Sequence, residues 1–116
     1  MRRARPRWLG FSRWWGGGED VTRELALERL RQHRSELATK YGIVRIGLFG
    51  SVARDEARAS SDVDVVVRLA KPDLFGLVAL REELSELFGA RVDLVHEHER
   101  LRPLLAKRIA RDVIYV

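Results

Sequence analysis

The run Asp62-Val63-Asp64-Val65-Val66-Val67 constrains the fold of this chain more than any other segment. Its valines carry branched Cβ atoms, which suit the pleated surface of a strand better than the crowded turn of a helix. Successive side chains of a strand point to opposite faces, so Val63, Val65 and Val67 share one face and Asp62 and Asp64 the other. The valine face requires an apolar layer of helices against it. The opposite face then carries two carboxylates side by side at the start of the strand. Their repulsion costs about 1 kcal/mol in water and several-fold more if shielded, and a cation relieves it.

The neighbouring segments supply the helices. From Val21 to Tyr41, Leu27, Leu30, Leu37 and Tyr41 recur at helical steps, with Asp20 or Thr22 placed to cap the start and Gly42 to end it. Ile43 to Phe49 reads as a buried strand between two glycines, and a short helix from Val52 to Arg58 is expected to follow. The acidic strand then runs from Asp62 to Leu69. Asp73 caps a helix from Leu74 to Phe88 that carries Leu77, Leu80, Leu84 and Leu87, and Gly89 stops it. Arg91 to Val95 reads as a strand, Leu101 to Ala110 as a helix that tolerates Pro103 in its first turn, and Val113 to Val116 as a last short strand. The expected fold class is α+β, a mixed β-sheet of about four strands with helices packed on one face and the acidic site on the other.

At 116 residues the chain has the length of one domain, with no room for a second. It contains no cysteine, which rules out disulfides and thiolate metal sites and fits a reducing cytoplasm. No apolar run approaches the roughly 18 residues that span a bilayer, so a soluble protein without a membrane partner is expected. The formal charge of +5 is a property of the N-terminus: five arginines lie in residues 1–18, and the 17 basic and 17 acidic residues of 19–116 balance. A neutral domain lacks the broad basic surface that a duplex backbone selects, so nucleic acid is not the expected partner. Residues 1–18, MRRARPRWLGFSRWWGGG, have neither helical nor strand periodicity. They are read as an appendage, a disordered tail or an upstream start codon, with residues 19–116 as the domain.

Asp93 lies in the third strand, where Val92 and Leu94 can face the helices. It joins Asp62 and Asp64 if the two strands are neighbours, and such a carboxylate set suits magnesium. At the end of the first strand, Gly50 allows a tight turn close to a phosphate, while Ser51 and the amides of the following helix offer donors. A Gly-Ser pair alone says little; its weight comes from the spacing, Gly50-Ser51, ten residues, then Asp62-x-Asp64. Four fixed residues at these offsets arise by chance in about one chain in a thousand of this length. Arg54 can reach a triphosphate from the short helix, or pair with Asp55 or Glu56. His96 and His98 come together after the third strand without a third metal ligand.

The segments Gly47-Leu48-Phe49-Gly50-Ser51-Val52-Ala53-Arg54 and Ser61-Asp62-Val63-Asp64-Val65 resemble the signature of the DNA polymerase beta-like nucleotidyltransferase superfamily, in its minimal nucleotidyltransferase branch. The resemblance covers nearly all of residues 21–116. It implies that Asp62, Asp64 and Asp93 are catalytic and hold two magnesium ions, and that Gly50 and Ser51 bind the β and γ phosphates, with Arg54 as a further nucleotide contact. It also implies an antitoxin paired with a HEPN ribonuclease toxin, acting in the cytoplasm and transferring AMP from ATP to a toxin tyrosine. Two other readings stand beside it: an antitoxin that neutralises by binding alone, and an antibiotic-type small-molecule nucleotidyltransferase.

Overall fold

A computed structural model describes residues 21–56, 62–98 and 100–116. Expectations for residues 1–18 and for Asp20 as a cap fall outside these residues, as do positions 57 and 58 of the expected second helix. In chain order the elements are α1 (Arg23–Tyr41), β1 (Ile43–Phe49), α2 (Gly50–Ala53), β2 (Val63–Leu69), α3 (Leu74–Phe88), β3 (Val92–His96), α4 (Pro103–Asp112) and β4 (Ile114–Tyr115). They form one four-stranded sheet in the order β3-β2-β1-β4. β1 runs antiparallel to β2 and β4, and β2 runs parallel to β3, so the sheet is mixed as expected. None of the helices among the described residues is long and apolar enough to cross a membrane.

Local chemistry sets the helix ends. The Thr22 hydroxyl accepts from the Leu25 amide, and the Asp73 carboxylate accepts from the Gly76 amide. Gly42 and Gly89 close α1 and α3 in the left-handed conformation. α2 is shorter than the expected Val52–Arg58. It begins at Gly50 and stops at Ala53, because Asp55 takes a positive φ of 62° that no right-handed helix can pass through.

Val63, Val65 and Val67 are fully buried on one face of the sheet, with Ile46 and Leu48 of β1 beside them. α1 covers this face with Ala26, Leu27, Leu30 and Leu37, and α3 covers it with Leu80, Leu84 and Phe88. The other face is only partly open, contrary to the expectation that helices lie on one face alone. Phe49 and Val66 are buried there under Ile109 of α4, with Leu105 packed against them. Alternation puts Val66 on the carboxylate side of β2, and an apolar residue on that side needs its own cover.

Leu84 has no exposed surface, so Leu84→Ala is expected to lower stability by about 2–5 kcal/mol in urea unfolding. Phe75→Ala, at a residue 82% exposed, is expected to change it by about 0.5 kcal/mol or less.

Candidate active site

The parallel register of β2 and β3 pairs Asp64 with Asp93, and directly paired residues point to the same face. Their carboxylates therefore project side by side, as the sequence reading requires. Asp62 immediately precedes β2, half exposed, with Arg91 Nε at 3.9 Å. On the opposite flank of β2, Asp64 faces Phe49, the last residue of β1. The next residue, Gly50, turns over the Asp64 carboxylate. Its φ is +76°, and a Cβ added there would overlap Asp64 Oδ2 and lie 2.9 Å from Cγ. Glycine is required at this position by backbone conformation and by contact alike. Ser51 follows in the single turn of α2, which closes with the Arg54 amide bonded to the Gly50 carbonyl and the Glu56 amide to the Ser51 carbonyl.

Burial pushes the Asp64 carboxyl up to about 6, and the charges of Asp93 and Asp62 push in the same direction, while Arg108 and Arg54 oppose them. Among the described residues no hydrogen-bond donor meets this carboxylate. A half-buried carboxylate beside a second carboxylate, with no donor, fits a hard divalent cation. Among the described residues no three His, Cys, Asp or Glu side chains close into a cage of their own. An ion held here would complete its shell with water and phosphate oxygens, as magnesium does.

Arg54 takes up its expected ion pair with Glu56, Nε to Oε1 at 3.0 Å, and a second one that sequence reasoning missed. Its Nη1 lies 2.7 Å from Asp112 Oδ2 at the end of α4, on a side chain only 3% exposed. Asp112 also accepts from Arg111 Nε at 2.9 Å. Arg108, equally missed, lies over the ring of Phe49 with its guanidinium carbon 5.9 Å from the centroid. No local motif marks Asp112 or Arg108; the only sequence signal is the Leu101, Leu105, Ile109 stripe, which orients α4. His96 ends β3 and stacks with His98 at 6.0 Å between centroids, away from the acidic end.

A carboxyl whose folded-state pKa lies near 6 rather than 3.8 holds its proton better when folded, so stability falls as pH rises from about 4 through 6. The cost is fully present above that window. Solvent screening of the half-exposed group limits it to about 1 kcal/mol. In chelator, Asp64→Asn is expected to be more stable than wild type by that amount at pH 7.5, with the gap closing as pH drops from about 6 to 4. Urea unfolding across this pH range checks it.

A family profile described as a nucleotidyltransferase domain matches residues 30–116. The protein adenylyltransferase MntA of Thermococcus cleftensis is 42% identical over 88 residues, which span 75% of this chain and 88% of that protein. A solved structure of a candidate minimal nucleotidyltransferase is 36% identical, with a TM-score of 0.63 and coverage of 85% of this chain and 98% of that one. The complex of a tri-AMPylated Shewanella oneidensis HEPN toxin with its MNT antitoxin shares the fold at a TM-score of 0.58 and 19% identity, over 81% of this chain and 71% of that one. With the glycine turn, the paired strand aspartates and this likeness together, the chain belongs to the nucleotidyltransferase domain family, in the minimal branch that contains MntA.

Proposed function

We propose that this chain is the antitoxin of a HEPN-type toxin pair and a magnesium-dependent protein adenylyltransferase, moving AMP from ATP to a tyrosine hydroxyl of the toxin in the cytoplasm. The observation that carries this reading is the juxtaposition of Gly50 with the Asp64–Asp93 pair, which sets a tight glycine turn directly against an acidic edge. The 42% identity to a protein adenylyltransferase supports protein as the acceptor, and the toxin complex of the same fold supports its class.

Asp62, Asp64 and Asp93 would hold two magnesium ions, which supply charge neutralisation on the triphosphate and lower the pKa of the acceptor hydroxyl. Gly50 and Ser51 would bind the β and γ phosphates, Ser51 with its hydroxyl as a donor. Asp93, exposed beside Asp64, would take the acceptor proton. The acceptor oxygen bonds to the α-phosphorus as the bond to the bridging α–β oxygen breaks, and pyrophosphate leaves with that electron pair. Residues 19–116 would suffice for this chemistry.

Labelled ATP, magnesium and the toxin encoded beside this chain provide the test. Label on the toxin, reduced about 1,000-fold or more in Asp62→Ala/Asp64→Ala, is the expected result. Deletion of residues 1–18 is expected to leave the rate unchanged. A stable complex that accepts no label from any triphosphate would overturn transfer in favour of neutralisation by binding.

A further inference from the structure

We propose that Arg108, and not Arg54, is the side chain that grips the triphosphate, and that Arg54 is a positioning residue that holds α4 in place for it. The inference rests on the nucleotidyl-transfer reading and assigns a cation to that site.

The argument begins with how α4 is anchored. Leu105 and Ile109 bury one stripe of the helix against Phe49 and Val66. Asp112, whose side chain is 3% exposed, accepts the guanidinium of Arg54 from the end of α2. Arg108 lies one turn before Asp112, on the same side of the helix. It is thereby held over Phe49, the residue that faces Asp64 across the strands and precedes Gly50.

The basic residues around the site differ in what they must give up. Arg54 is bound by Glu56 and Asp112, and Arg111 by Asp112. Arg91 lies near Asp62. Arg108 is exposed, and among the described residues it meets no carboxylate in an ion pair, only an aromatic face. Such a contact is easily exchanged for a phosphate, whereas Arg54 would have to abandon two carboxylates. A guanidinium also matches phosphate oxygens in bidentate fashion. A site with three carboxylates that receives a triphosphate needs positive charge from the chain, because divalent ions offset only part of the total.

Binding of MgATP and of AMP by the full chain, measured by titration calorimetry, separates the two arginines. Arg108→Ala is expected to weaken MgATP binding about 10-fold or more with little change for AMP. Arg108→Lys should recover part of that loss, and the melting temperature should stay at the wild-type value. Arg54→Ala should lower the melting temperature and weaken MgATP binding, because α4 is released. Wild-type affinity for MgATP in Arg108→Ala, or an equal loss for AMP and MgATP, would overturn the assignment. Failure of the wild-type chain to bind any nucleoside triphosphate would overturn this inference together with the reading it rests on. Wild-type binding of MgATP without transfer to the toxin would remove only the acceptor assignment and leave the Arg108 comparison decisive.

Discussion

Asp64 is the residue at which the glycine turn and both neighbouring strands meet. Gly50 turns directly over its carboxylate, Asp93 stands beside it on the adjoining strand, and Phe49 flanks it on the other. Each contact follows from strand pairing, because β2 lies between β1 and β3 in the sheet. The valines on the reverse face hold β2 in that central place, buried under α1 and α3. A charge that burial and its neighbours both disfavour is thus kept in position by apolar packing behind it. The packing supplies the stability that the acidic edge costs.

The second face of the sheet shows how the site is completed. Phe49 and Val66 require cover, and α4 provides it with Ile109 and Leu105. The helix that shields two apolar residues also carries Asp112 to Arg54 and Arg108 to the vicinity of Asp64. Structural burial and electrostatic trimming of the site therefore come from one amphipathic element. A change in the apolar stripe of α4 would be felt as a change in charge at the acidic edge.

Most of the acidic edge was visible in the sequence because a strand encodes its two faces locally. Val63, Val65 and Val67 against Asp62 and Asp64 is a period-two pattern, and the placement of Asp93 followed from the same parity once β3 was taken as a neighbour. Gly50 was singled out for phosphate approach; its contact with the Asp64 carboxylate depends on the β1–β2 register, which no local pattern reveals. The partial cover of the second face was missed because the Leu105 and Ile109 stripe says that α4 packs, not which side of the sheet receives it. Arg54 and Asp112 lie 58 residues apart, and their pairing exists only once α4 is docked. The early end of α2 depends on Asp55, a residue that tolerates the left-handed conformation without demanding it.

Asp64 and Asp93 ride on adjacent strands of one sheet, so the separation of their backbones is the spacing of hydrogen-bonded strands, about 4.8 Å. The sheet acts as a ruler. Loop movement cannot lengthen or shorten that interval, and only side-chain rotation can vary the gap between the two carboxylates. A chain built this way has little means of remodelling its reactive centre to suit acceptors of different shape. Its selectivity must be written on the surfaces that surround the ruler, where substitutions can accumulate without altering the distance on which the chemistry depends.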